Sequence, residues 1–143
     1  MDIVLKLDPE AGEIEAVRAP LSAHAEQARP GGNYRELGLL LKDPASGDIV
    51  GGLTGYALYD WLFVQFLAVP ETLRGQNFGS RLMQRAEDWA REQGLAGMWL
   101  DTFDFQARPF YEKLGFEVFG TIEDHPVGGR RYFLSKRLTP PAG

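Results

Sequence analysis

The sequence predicts one α/β (α+β) domain over residues 1–143, with a mixed, mainly antiparallel sheet and helices on both faces. A chain of this length fits a single domain and buries about two thirds of its unfolded surface. Pairs of apolar segments joined by short polar turns are typical of antiparallel hairpins. One further apolar segment runs directly into a glycine-containing loop and an amphipathic helix, and this order of elements makes the sheet mixed.

The beginning of the chain combines a weak strand pattern with a helical one. Residues 3–7 alternate weakly between apolar and polar side chains, which favours an edge strand. The alanine-rich stretch that follows, as far as Arg29, predicts a helix in one or two pieces, with a break near Pro20. Residues 30–33, Pro-Gly-Gly-Asn, indicate a loop.

The rest of the chain predicts six strands and two helices. Residues 61–69 contain one polar side chain, Gln65, which predicts a central strand buried on both faces. Residues 78–93 place apolar side chains at helical spacing, and a shorter helix is expected between Pro109 and Gly115. The other predicted strands are residues 37–41, 49–58, 98–102, 116–122 and 131–136.

The loop of residues 74–80 has a composition that favours anion binding. Arg74 supplies a fixed positive fork, and Gly75 and Gly79 let the backbone approach an anion closely. Asn77 tolerates a left-handed backbone. The helix that follows adds unpaired amides and the positive end of its dipole. The lysine of a P-loop and the spacing of a dinucleotide-binding loop are missing, and this loop alone is equally typical of a turn without a ligand.

A second motif makes the interpretation of this loop specific. Residues 107–116, Ala-Arg-Pro-Phe-Tyr-Glu-Lys-Leu-Gly-Phe, together with Arg74-x-x-Asn-x-Gly79, resemble the GNAT superfamily of acetyl-CoA-dependent N-acetyltransferases over about residues 48–137. Residues 100–107 and 131–134 are similar to a bacterial branch with Leu-Asp-Thr-Phe-x-Phe-Gln-Ala and Arg-Tyr-Phe-Leu motifs. The chain departs from the family pattern at Asn77, which replaces a glycine, and at Asp104, where the family often has asparagine.

The resemblance implies that acetyl-CoA is the cosubstrate. The amides of the loop would bind its pyrophosphate, and the strand end at residues 67–69 would pair with the pantetheine arm as an added strand does. The amide of Val69 would polarise the thioester carbonyl. The cofactor-binding residues expected on this basis are Leu67, Ala68, Val69, Arg74, Gly75, Gln76, Asn77, Phe78, Gly79, Ser80, Ala107 and Phe110.

Acetyl transfer to an amine needs a proton donor for the leaving thiolate and a group that deprotonates the amine. Tyr111 is the expected general acid, because a phenol with a pKa of about 10 can protonate a thiolate whose conjugate acid has a pKa of about 8.5. The base stays open between a side chain and a chain of waters. The candidate side chains are Asp101, which the prediction takes as a weak first choice, Asp104, Glu36, Asp60 and His125.

Composition limits the partners. The 15 basic and 20 acidic residues give a net charge of −5, which argues against a nucleic-acid surface and mildly favours a cationic partner. The chain has no cysteine, so an acyl-cysteine intermediate and a zinc-cysteine site are excluded, and its two histidines suggest no metal site. No signal peptide or bilayer-spanning run is found, and we expect a cytoplasmic protein without membrane contact.

The predicted function is an N-acetyltransferase that moves the acetyl group of acetyl-CoA to a small-molecule amine, by direct attack in a ternary complex. The alternative is a non-catalytic acyl-CoA binding or sensing module, and an unrelated nucleotide-binding domain comes third. A homodimer is compatible with the sequence. Trp89 and Trp99 are expected to be packing residues. Trp61, next to Asp60, could instead line the acceptor-binding side of the site or a subunit interface.

Overall fold

The computed structural model describes residues 1–140. The chain divides into two compact units, Met1–Gly32 and the part that begins at Asn33. The first unit holds one helix, α1 (Ala11–Ala28). A capping box starts α1, in which the Glu13 carboxylate accepts the amide of Glu10 at 2.9 Å.

Two predictions for the first unit are wrong. Residues 3–7 form no strand, because no other extended segment of residues 1–32 offers a partner, and their side chains are exposed. Pro20 lies inside α1 and does not break it. The alanine-rich sequence on both sides of Pro20 favours the helix, and none of its residues is buried, so that water can reach the carbonyl that loses its amide partner.

The second unit is a six-stranded sheet with two α-helices, in the strand order β1-β2-β3-β4-β6-β5. β3 and β4 are parallel and the other neighbours are antiparallel, which confirms the predicted mixed, mainly antiparallel sheet flanked by helices. The elements are β1 (Arg35–Lys42), β2 (Ile49–Leu58), β3 (Trp61–Ala68), a 3₁₀ turn (Glu71–Leu73), α2 (Phe78–Glu92), β4 (Gly97–Phe103), α3 (Arg108–Lys113), β5 (Glu117–Glu123) and β6 (Arg130–Arg137).

One face of the sheet carries the hydrophobic core. The amphipathic helix α2 packs its apolar side against this face, and α3 contributes Tyr111 to the same core. Alternate side chains of the strands point into it, as the pleat of a sheet requires. The core includes Leu53, Ala57, Leu62, Val64, Leu82, Met83, Ala86, Ala90, Met98, Leu100, Phe116, Tyr132 and Leu134.

The opposite face of the sheet is lined by half-exposed aromatic side chains, among them Trp61, Phe63 and Trp99. Both helices of residues 33–140 pack on the core face, and neither covers this one. The prediction that β3 is buried on both faces is therefore wrong. Its side chains at Leu62 and Val64 are buried, whereas those on the other side stay in contact with solvent.

Candidate active site

A wedge-shaped gap separates the carboxyl ends of β3 and β4. The two strands pair over three residues only, and the last pair is Phe63 with Trp99. β3 then continues to Ala68 and β4 to Phe103 without further pairing between them. Since β2 pairs with the other side of β3, half of the peptide groups of residues 64–68 face this wedge.

A β-bulge explains where the strands part. The pairing of β2 with β3 shifts register between Thr54 and Gly55, which places Gln65 opposite no residue of β2. A bulge bends the strand that carries the extra residue, and here the bend follows directly after the last β3–β4 pair. Gln65 is the one polar residue of the predicted strand and the residue of β3 that the bulge leaves without a partner in β2.

The loop after β3 presents backbone amides at the start of α2. Gly75 has φ +84° and Asn77 has φ +63° and ψ +22°, so that Asn77 adopts the left-handed conformation its residue type allows. Asn77 is the N-cap of α2, but its side chain accepts no capping hydrogen bond. Within residues 1–140 the amides of the first turn, residues 78–80, therefore have no acceptor. Unpartnered amides at the positive end of a helix can bind an anion.

The side chains around these amides are partly open to solvent. The Arg74 guanidinium is 71% exposed and its nearest carboxylate, that of Glu71, is 3.9 Å away, so this weak pair leaves it able to bind an anion. Phe78 is half-buried and lies 4.8 Å from the guanidinium of Arg81. Gln76 is exposed and Ser80 is half-buried. On β3 and just after it, Leu67 and Val69 pack partly on the core, while Ala68 is exposed.

Gly79 joins the two sequence motifs. A Cβ atom built on Gly79 would lie 3.3 Å from Cζ of Phe110, so the missing side chain allows the first turn of α2 to pack on the ring of Phe110 in α3. The sequence predicted that Gly79 admits an anion. The packing is a second constraint on the size of this residue, because a Cβ atom here would require the Phe110 ring to shift by a few tenths of an ångström.

Tyr111 lies on α3 with its ring in the core and is 8% exposed. Its ring packs edge-on against Phe110 and Phe116, with centroids 5.1 and 6.1 Å away. Its hydroxyl makes no hydrogen bond with residues 1–140. Burial, and then the negative charge of Asp101, raise the pKa of Tyr111 above its ordinary value of 10.0. The phenol is therefore protonated at any physiological pH, as a proton donor must be.

The loop between β4 and α3 is fixed by Thr102 and Gln106. The Thr102 hydroxyl accepts the amide of Ala107, the N-cap of α3, at 3.4 Å and donates to Oε1 of Gln106 at 3.2 Å. The same Oε1 accepts the amide of Phe103 at 2.9 Å. Thr102 is 3% exposed whereas Gln106 is exposed, so these bonds lie at the edge of the core. Sequence reasoning missed this role, although both residues belong to the motif of residues 100–107.

Asp101 is the candidate base that lies on a strand of the wedge. Its Oδ1 accepts Nε–H and Nη2–H of Arg131 at 3.0 and 2.6 Å. The side chains are 19% and 31% exposed, which makes this a half-buried pair. Oδ2 of Asp101 has no partner among residues 1–140. Because side chains alternate along a strand, Asp101 and Trp99 share the aromatic face.

The other candidate bases lie further from the wedge or are engaged in structure. Asp104 accepts the amide of Arg130 at 3.1 Å and ties β4 to the start of β6. Glu36 accepts the hydroxyl of Tyr34 at 3.2 Å and lies on β1, which β2 and β3 separate from β4. Asp60 precedes β3, at the end opposite to Ala68. His125 packs edge-on against Phe103, with ring centroids 5.2 Å apart.

The described residues contain neither a metal-binding cluster nor a membrane-spanning helix. Among residues 1–140 no three histidine, aspartate or glutamate side chains are grouped so that they could hold a metal ion. Over the same residues, no helix is both long and apolar enough to cross a membrane.

Comparisons with known proteins agree with this geometry. Residues 8–116 match the family model of the Acetyltransferase (GNAT) family. The chain is 42% identical over 93 residues to blasticidin-S acetyltransferase of Streptomyces morookaense, which covers 64% of this chain and 68% of that protein. It is 33% identical over 138 residues to an acetyltransferase of Agrobacterium fabrum, covering 96% and 100% of the two chains. A crystal structure from Agrobacterium tumefaciens superposes with a TM-score of 0.90 at 33% identity, covering 96% of this chain and 100% of that one.

Proposed function

Because the chain belongs to the GNAT acetyltransferase family and is an acetyl-CoA-dependent acyltransferase, we propose that it acetylates the primary amine of a small molecule, by direct attack in a ternary complex. The name of the Streptomyces relative, blasticidin-S acetyltransferase, supports a small-molecule acceptor. The amine identity and the ternary complex are the parts that need a test.

The wedge between β3 and β4 is the single observation that carries this function. Its free β3 edge, at Leu67, Ala68 and Val69, offers peptide groups to an extended amide-containing arm, as an edge strand does to an added strand. The Arg74 guanidinium and the amides of residues 78–80 follow this edge in the chain, and they would hold a pyrophosphate. Acetyl-CoA, when bound, supplies an acyl group activated as a thioester.

The transfer is balanced by two proton movements. The amine nitrogen forms a bond to the acetyl carbon while the carbon–sulfur bond breaks, the nitrogen loses a proton, and the thiolate gains one. Tyr111 would donate the proton to the sulfur, since its hydroxyl has no other partner among residues 1–140 and stays protonated. We propose that Asp101 receives the amine proton through Oδ2, directly or through a water.

A panel of small primary amines, assayed for release of free CoA and for the mass of the acetylated product, tests this function. Thiol detection has no protein background, because the chain contains no cysteine. We expect CoA release that requires both substrates and yields one acetyl group per thiol. A non-catalytic acyl-CoA module would instead show a higher melting temperature with acetyl-CoA but no product with any amine. Thioester hydrolysis without an acetylated amine would contradict direct transfer.

Two further expectations from the sequence accompany this function. The cytoplasmic location and the homodimer stay predictions, and sedimentation of the purified protein is the direct measurement of the second.

A further inference from the structure

An aromatic groove lies on the sheet face opposite to α2 and α3. It has a volume of about 530 Å³ and is lined by Trp61, Trp99, Phe119, Phe133 and Ser135. This volume is in the range of pockets that enclose small organic ligands. Four aromatic rings and one hydroxyl give it almost no hydrogen-bonding capacity, so the groove selects for apolar, flat surface.

The groove is built into the sheet by Gly97. A Cβ atom on Gly97 would lie 2.4 Å from the ring of Trp61, so only glycine lets this indole lie flat across β4. Arg137 on β6 is the residue paired with Gly97, and its guanidinium lies 5.5 Å from the ring centroid of Trp61. Trp61 is thereby held between two neighbouring strands, as one side of a shaped site.

The groove borders the wedge. Trp99 belongs to the last β3–β4 pair before the strands separate, and Asp101, two residues further along β4, is the register partner of Phe133. A molecule bound against Trp99 and Phe133 therefore lies next to the Asp101 carboxylate and to the point where β3 and β4 separate. The proposed transfer takes place at this point.

The charges around the groove restrict what it can hold. The guanidinium groups of Arg131 and Arg137 already lie 5.4 and 5.5 Å from the rings of Phe133 and Trp61. A second cation on these rings would be repelled by both. The negative charge is at Asp101, on the side of the wedge. Arg131 pairs with Oδ1 of Asp101, so Oδ2 is the atom that can accept N–H from an amine there. The groove thus suits an uncharged body whose amine reaches Oδ2 of Asp101.

From these contacts we propose that the aromatic groove binds a planar aromatic or heteroaromatic body of the acceptor and directs its amine toward Asp101. The acceptor class is then an aryl-bearing primary amine rather than a polyamine. This inference rests on the proposed N-acetyltransferase function, and its test must separate the two.

The test compares amines that carry a planar or a puckered ring. Phenethylamine and cyclohexylethylamine have the same carbon skeleton, and kcat/KM is expressed per concentration of neutral amine because the phenyl group makes phenethylamine the weaker base; spermidine represents the polyamines. We expect kcat/KM for phenethylamine and tryptamine to exceed that for cyclohexylethylamine by roughly tenfold, since stacking on two rings is favoured beyond simple burial. Spermidine should be poorer still. Equal values for the planar and the puckered ring would overturn the inference and leave the N-acetyltransferase function standing.

Phe119→Ala and Phe105→Ala form a matched pair of variants. Both phenylalanines are largely exposed, at 62% and 70%, so both variants should fold, but only Phe119 lines the groove. In Phe119→Ala the ratio of kcat/KM for phenethylamine to kcat/KM for cyclohexylethylamine should fall close to one. In Phe105→Ala this ratio should stay as in the parent protein. Equilibrium dialysis of tryptamine in the presence of CoA gives a readout that needs no turnover.

The outcomes of the two measurements are distinct. If tryptamine binding is weakened by Phe119→Ala and no amine is acetylated, the proposed function fails and the groove assignment holds. If tryptamine does not bind, or binds equally to both variants, the groove assignment is overturned. A dimer that Phe119→Ala converts to a monomer, with no amine bound, would also overturn it and make the groove a subunit interface.

Discussion

Tyr111→Phe should slow acetyl transfer strongly while leaving the stability of the protein almost unchanged. The buried hydroxyl of a tyrosine contributes about 0.5–1.5 kcal/mol when it is hydrogen-bonded, but the Tyr111 hydroxyl has no such bond with residues 1–140. The ring contacts with Phe110 and Phe116 persist in the variant. We therefore expect the free energy of unfolding to change by less than about 0.5 kcal/mol, or about 2 °C in Tm.

The rate of acetyl transfer, unlike the stability, should fall strongly in Tyr111→Phe. Loss of a general acid costs about 10²-fold or more in kcat, and the affinity for acetyl-CoA should hardly change because the loop of residues 74–80 is untouched. Steady-state CoA release and urea denaturation measure the two effects on the same sample. Tyr132→Phe is a control for the loss of a phenol elsewhere in the core. Tyr132 is 9% exposed, and its hydroxyl interacts with the guanidinium groups of Arg108 and Arg130, so this variant should lose stability but keep its turnover. Its kcat should stay within about twofold of the original.

Two results would refute this reasoning. Undiminished turnover in Tyr111→Phe would remove Tyr111 from the mechanism. A loss of turnover that goes with a loss of stability above about 1 kcal/mol would mean that the hydroxyl has a structural role.

Three further predictions concern the loop, the core hydroxyl and the pH profile. Acetyl-CoA at 100 times its Kd should stabilise the protein by about 2.7 kcal/mol, which a thermal shift measures. Gly75→Val, at φ +84°, should weaken acetyl-CoA binding by about tenfold. The control Gly47→Val, at φ +79° in the β1–β2 turn, should leave acetyl-CoA binding unchanged. Thr102→Val should cost about 1–2 kcal/mol in urea denaturation and lower kcat, while Thr102→Ser keeps the hydroxyl and should behave as the parent. Because burial raises the pKa of Tyr111, the phenol is protonated below that raised pKa and the rate should fall only above about pH 10; a fall near pH 8 that persists in Tyr111→Phe would have another origin.

Local patterns in the sequence were sufficient to predict most of the fold of residues 33–140. The amphipathic spacing of α2 and the two hairpins depend on neighbouring residues, which is why their bounds agree within a few positions. The left-handed Asn77 was also predictable, since few other residue types accept that backbone. Residues 3–7 show the limit, because a strand requires a partner that its own sequence does not specify.

The site depends on longer-range pairing that the sequence does not display. The wedge results from the register of β3 against two neighbours at once, and Gln65 could be recognised as its cause only when both pairings were known. The same is true of Trp61, whose position depends on a glycine in another strand, Gly97. Asp101 was a reasonable candidate, but its pairing with Arg131 follows from the β4–β6 register.

The short joint between β3 and β4 divides the sheet into two three-stranded ribbons, β1-β2-β3 and β4-β6-β5. Only three residue pairs, and therefore few backbone hydrogen bonds, join β3 to β4. Small rocking motions of the two ribbons should therefore concentrate at this joint. A ligand arm in the wedge would act as a seventh strand that crosslinks the ribbons. Amide hydrogens of residues 64–68 and 100–103 should then exchange rapidly in the free protein and slow together when acetyl-CoA binds, so that the cosubstrate completes the sheet it binds to.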